Sequence, residues 1–187
     1  MKILILAATL FIGSHFSFAQ TEISGVTPAK TIEVNSNILT FNGSGLREKI
    51  FLDLYVGALY VTTKTSDRKA VVNGNENMAI TLDIVSSFIT SEKMIAAIDE
   101  GFLHSTKNNL GPYKAKIELF KSSFKDEIKI GDHFVIAYTK NTGTEVYKNG
   151  EKIKTIPWFD FKKALFGIWF CDEPADEDLM NGMLGLD

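Results

Sequence analysis

The sequence predicts an α+β domain, an antiparallel sheet with helices packed on one face. Three observations carry this. Apolar and polar residues alternate over Ile32–Val34, Leu39–Phe41, Met78–Ile84, Ala115–Leu119 and Phe134–Tyr138, the period-two mark of half-buried strands. Asn149-Gly150 separates Val146–Lys148 from Lys152-Ile153, a two-residue hairpin signal because both turn positions need positive φ. Two other stretches, Ser91–Ser105 and Trp158–Phe170, repeat apolar residues at helical spacing instead.

Residues 1–19 are read as a secretory signal peptide. Lys2 opens it, an apolar run follows over Ile3–Gly13, and Ser17-Phe18-Ala19 supplies a small-x-small cleavage site. The run is too short to span a bilayer. The single cysteine, Cys171, is far from it, so the lipoprotein pattern is absent. The expectation is a single mature domain over residues 20–187, periplasmic or secreted, with no integral membrane segment after cleavage.

Residues 20–30 are a polar lead-in. Two short strands follow, and Ile50–Val61 reads as a strand buried on both faces, broken by polarity only at Asp53 and the aromatic hydroxyls. After the 78–84 strand, Thr90 or Ser91 caps a helix with Met94, Ile98 and Phe102 on one face. The 115–119 alternation reads as a further strand, then 134–138 and the Asn-Gly hairpin. Pro157 opens a helix whose stripe is Phe161, Leu165, Ile168 and Trp169. Asp172 is read as the cap of a last short helix, Pro174–Met183, with Gly185 after its end.

Composition excludes several classes. A formal net charge of −3 argues against a nucleic-acid partner, which needs a basic surface. His104 and His133 have no neighbouring ligands in the sequence, so no metal is expected. Gly43-Ser44-Gly45 lacks the lysine and hydroxyl of a phosphate loop, and no nucleophile elbow occurs. No cofactor is implied.

Arg47 is the residue that asks for an explanation. It stands between a small-residue turn and an apolar strand bearing Tyr55 and Tyr60. A guanidinium is permanently charged. Either an internal carboxylate answers it, near Glu48 or at Asp53 or Asp83, or a ligand does. The two tyrosines are by default core phenols, and Thr90 by default a helix cap.

The motifs G-S-G-L-R-E-K-I-F-L-D-L-Y-V-G-A-L-Y-V, S-E-K at Ser91–Lys93, G-T-E-V at Gly143–Val146, F-x-x-A-L-F-G-I-W-F at Phe161–Phe170 and P-A-D at Pro174–Asp176 occur in this order. Together they resemble the chalcone isomerase-like family, with greatest similarity to its secreted bacterial branch. The resemblance implies an open-faced β-sandwich, a large antiparallel sheet with a layer of helices. Plant members close a flavanone ring, while fatty-acid-binding members hold a carboxylate in an apolar cleft between sheet and helices. Both kinds use the arginine of G-x-G-x-R, here Arg47. The binders add a tyrosine that matches Tyr55. The enzymes' phenol before S-E-K is replaced by Thr90, and their asparagine on the following helix by Ala97.

The resemblance therefore implies a non-enzymatic binder of an apolar carboxylate such as a fatty acid. Its candidate ligand-binding residues are Arg47, Tyr55, Tyr60 and Thr90, with Phe88, Phe102, Phe166 and Trp169 as possible walls. The alternative is an isomerase, an intramolecular lyase, acting on an unknown bacterial substrate. One geometric condition attaches to both. On a continuous strand Arg47 and Tyr55 would stand roughly 26 Å apart, so joint action requires a bend near Glu48–Phe51.

Overall fold

The structure is a computed structural model and describes residues 22–186. The signal peptide expected over residues 1–19 lies outside the described residues.

Seven strands form one antiparallel sheet in meander order: β1 Thr31–Val34, β2 Asn37–Lys49, β3 Leu52–Val61, β4 Met78–Ile84, β5 His133–Thr139, β6 Gly143–Lys148 and β7 Glu151–Ile156. Three α-helices lie between strands, α1 Arg68–Asn73, α2 Ser91–Ser105 and α3 Lys114–Lys121, and two follow β7, α4 Phe159–Phe170 and α5 Glu177–Leu184. The α+β, open-faced sandwich expectation holds. The main core lies between the sheet and the helices. Tyr55, Leu59, Ile80, Leu82, Phe134, Ile136 and Val146 meet Phe102, Phe120, Phe161, Leu165 and Trp169 there. Period-two alternation sends a smaller set to the opposite face: Val34, Leu39, Ala58, Tyr60, Ala79 and Ala137. From Phe161 to Phe170 only Lys163 of α4 escapes burial, so this helix is apolar nearly all round.

Three hairpins close through two-residue turns with positive φ at both positions. They are Asn35-Ser36 (φ 49° and 61°), Ile50-Phe51 (51° and 63°) and Asn149-Gly150 (51° and 85°). Asn and Gly suit this left-handed geometry, whereas a β-branched isoleucine is strained by it at roughly 1–2 kcal/mol.

Four sequence expectations need correction, and the first is the small-residue turn before Arg47, because Gly43-Ser44-Gly45 lies inside β2. The 115–119 segment is the helix α3, not a strand. Its buried residues are Ile117 and Phe120, while Leu119 is 37% exposed. The i, i+3 spacing outweighed a period-two reading drawn from lysines alternating by chance. The strand read over Ile50–Val61 begins at Leu52, because Ile50 and Phe51 are the exposed turn. The last helix starts at Glu177 with Asp176 as its cap, and Asp172 and Pro174 lie ahead of it. Gly185 does end it, at φ 67°.

Lys162 is fully buried on α4. Its Nζ donates to the carbonyls of Val71, Val72 and Gly74 at the end of α1, the latter two at 3.1 and 2.9 Å. The ring of Phe166 lies 4.9 Å away. Burial, with a smaller contribution from Lys163, pushes its pKa down to about 7.

Candidate functional site

The Ile50-Phe51 turn folds the chain so that Arg47 and Tyr55 are direct partners across the β2–β3 ladder. Residues opposite one another in a ladder are roughly 5 Å apart at Cα. The fold-back that the sequence reading required near Glu48–Phe51 is this turn. A bulge beside it shifts the register between Arg47 and Glu48, so that Glu48 faces Asp53 and Leu54 is the extra residue.

Arg47 Nη1 donates to Asp176 Oδ2 at 2.8 Å and to the Glu48 carbonyl at 2.9 Å. Asp176 Oδ1 accepts from the Leu179 amide at 2.9 Å, capping α5. Both partners are largely but not wholly buried, with side chains 21% and 14% exposed. Nε and Nη2 of Arg47 make no hydrogen bond among the described residues. The carboxylates proposed from sequence are engaged elsewhere. Asp53 accepts from the Ser24 hydroxyl at 2.6 Å, and Asp83 meets His133 Nδ1 at 2.6 Å.

The glycines before Arg47 explain how α5 reaches it. A Cβ on Gly43 would stand 2.2 Å from the Gly182 carbonyl oxygen, and one on Gly45 would stand 2.9 Å from Leu179 Cα. On β3, a Cβ at Gly57 would meet Leu179 Cδ1 at 2.8 Å. Only bare backbone lets α5 lie this close to the sheet. G-S-G-L-R and P-A-D are therefore two halves of one contact, a glycine floor with a guanidinium at its end, and a helix whose cap meets that guanidinium.

Tyr55 is buried beside this pair, and its hydroxyl accepts from Trp169 Nε1 at 3.1 Å. Its own proton has no acceptor among the described residues. Burial raises the Tyr55 pKa. The Trp169 hydrogen bond and the Arg47 charge offset part of that rise.

The other two candidates do not join them. Tyr60 points to the opposite face, donates to the Ala29 carbonyl at 3.0 Å, and has its pKa pushed up to about 12, chiefly by burial. Thr90 caps α2, its Oγ1 accepting from the Lys93 amide at 3.3 Å. It lines an open depression of about 790 Å³ with Ser87, Ser91, Lys125, Ile128 and Ile130. Ala97 is exposed on α2. Of the possible walls, Phe102, Phe166 and Trp169 are core and Phe88 is 53% exposed.

The open apolar cleft implied beside Arg47 is closed here. Leu179 covers Gly57, Trp169 covers Tyr55, and Asp176 holds the guanidinium. Neither the depression at Thr90 nor one of about 270 Å³ near Val72 and Tyr113 is lined by Arg47 or Tyr55. Asp176 is the residue that sequence reasoning missed in its role. The available signal was a carboxylate three residues before Leu179, at the start of the final apolar periodicity. Among the described residues no group of three His, Cys, Asp or Glu side chains could hold a metal, and no helix is long and apolar enough to cross a membrane.

A family model described as chalcone isomerase-like matches residues 20–185. Among curated proteins none matches. Among solved structures, a fatty-acid-binding protein of Arabidopsis thaliana superposes with a TM-score of 0.70 at 16% identity, covering 86% of this chain and 92% of that one. At that identity the likeness establishes the fold.

Proposed function

Because this chain belongs to the chalcone isomerase-like family, we propose that it is a non-catalytic binder of an apolar carboxylate, such as a fatty acid, with Arg47 anchoring the head group. The carrying observation is that Arg47 already holds a carboxylate, that of Asp176, while its Nε and Nη2 stay unspent among the described residues. Tyr55, its ladder partner, keeps a hydroxyl proton to donate. A ligand head group would exchange with Asp176. The swap replaces one charged hydrogen bond by another, so it costs little beyond hydrating Asp176. The tail would gain roughly 0.8 kcal/mol per buried CH₂, and has to displace the start of α5 to do so.

The fold of the Arabidopsis fatty-acid-binding protein supports a binding role. The groups around Arg47 weigh against the isomerase alternative. Thr90 is an exposed helix cap and Ala97 offers no hydrogen bond, so these two positions supply neither the phenol nor the amide that the enzymes carry there. The signal pattern at residues 1–19 supports a periplasmic or secreted site of action.

One observation favours a second reading. The Arg47–Asp176 pair and the filled interior also suit a packed scaffold with no ligand. Native mass spectrometry of protein purified from its own host separates the two. A bound fatty acid or similar carboxylate supports the binder. A clean apo mass, with no C12–C18 fatty acid bound in a fluorescence titration, supports the scaffold.

A further inference from the structure

We propose that one end of the sheet is a membrane-docking edge, inserting the Ile50-Phe51 hairpin tip and flanking apolar side chains into a phospholipid bilayer surface. Phe51 is 99% exposed, Ile50 81% and Leu52 41%. An exposed run of this kind at a β-hairpin tip has no packing role in the domain. It is also costly where it stands. The same two-residue, positive-φ turn occurs twice more in this chain, as Asn35-Ser36 and Asn149-Gly150, with Asn in the first position each time. Among the described residues only this tip places isoleucine and phenylalanine in the left-handed region. Strain retained against an available local solution marks a functional segment.

The tip does not stand alone. Register pairs Tyr55 with Ile84 and Asp83 with His133, so the segments leaving β4 and entering β5 emerge at the same end of the sheet as residues 49–52. Phe88 on the first is 53% exposed, and Ile130 on the second is 61% exposed. Each apolar group has a lysine with it. Lys49 precedes Ile50, Lys93 Nζ lies 3.2 Å from the centre of the Phe88 ring, and Lys129, paired with Glu127, precedes Ile130. Apolar side chains at acyl depth beside ammonium groups at phosphate depth match the two layers of a lipid surface. The tip also carries Glu48 and Asp53 around Lys49, and the chain is net negative, so insertion of the apolar side chains rather than net charge drives the docking.

The inference does not rest on Arg47 binding a ligand, and its test uses no added fatty acid. Co-sedimentation with phosphatidylethanolamine/phosphatidylglycerol vesicles compares the parent protein with Ile50→Asn/Phe51→Gly, which installs the chain's own unstrained turn. The expected result is opposite signs in one variant: vesicle binding falls at least fivefold while the thermal midpoint rises. Ile38→Asn, which removes another exposed isoleucine (70%) at the far end of β2, should sediment like the parent. Absence of vesicle binding by the parent, equal binding by the turn variant, or lipid-free self-association lost on changing the tip would each overturn it.

Discussion

Arg47 and Asp176, 129 residues apart, form an ion pair at 2.8 Å in which the carboxylate serves two masters, the guanidinium through Oδ2 and the first turn of α5 through Oδ1. Removing the guanidinium should therefore loosen a helix rather than only a side chain. Arg47→Ala should cost about 1–2 kcal/mol, a charged hydrogen bond discounted for partial exposure. Hydrogen exchange should accelerate across Glu177–Leu184 and leave β4 and β5 unchanged.

The glycine floor makes a steeper prediction. A methyl group at Gly43 meets the backbone of Gly182, Met183 and Gly185, none of which can rotate away. Gly43→Ala should destabilise by about 1–3 kcal/mol through overpacking, read as a lowered denaturant midpoint. Gly111→Ala, where a Cβ would meet nothing within 4 Å, is the control and should change little.

Tyr55 and Trp169 share a buried hydrogen bond of 3.1 Å. Tyr55→Phe leaves the indole N–H unpaired and should cost about 1–3 kcal/mol. Trp169→Phe removes the donor instead, and the double variant should cost less than the sum of the two singles, a coupling measurable by a double-mutant cycle.

Lys162 gives the fold a pH dependence. Its folded pKa is pushed down to about 7, whereas the unfolded chain keeps an ordinary lysine that stays protonated through pH 9. Between these limits the unfolded state binds more protons, so stability should rise as pH climbs from 7 to 9. Urea midpoints across that range should show the rise. Lys162→Met should flatten it, even though losing the contacts to Val71, Val72 and Gly74 lowers stability at every pH.

Much of the fold was legible because local rules suffice for it. Asn149-Gly150 needed a tight hairpin, Gly185 ended α5 in the left-handed region, and Thr90 capped α2. The α3 segment misled because two of its lysines imitate strand alternation, and the true face, Ile117 and Phe120, shows only at helical spacing. The site was half legible. The need to bring Arg47 to Tyr55 foretold a turn, yet Ile50-Phe51 carries no turn chemistry and so reads as strand. Asp176 escaped notice as the partner because pairing over 129 residues leaves no local trace. The glycines of G-S-G read as a turn, whereas they are strand residues stripped of side chains to admit a helix.

The exchange of Asp176 for a ligand head group is tested most directly by titrating palmitate against the parent chain, Asp176→Asn and Arg47→Ala. Asparagine keeps the helix cap but gives up the charge, so it frees Arg47 without undoing α5. The account predicts tighter binding by Asp176→Asn than by the parent, and weakening by Arg47→Ala of roughly 1.5–3 kcal/mol. Palmitate binding that is unchanged in both variants, or absent from all three proteins, would contradict it.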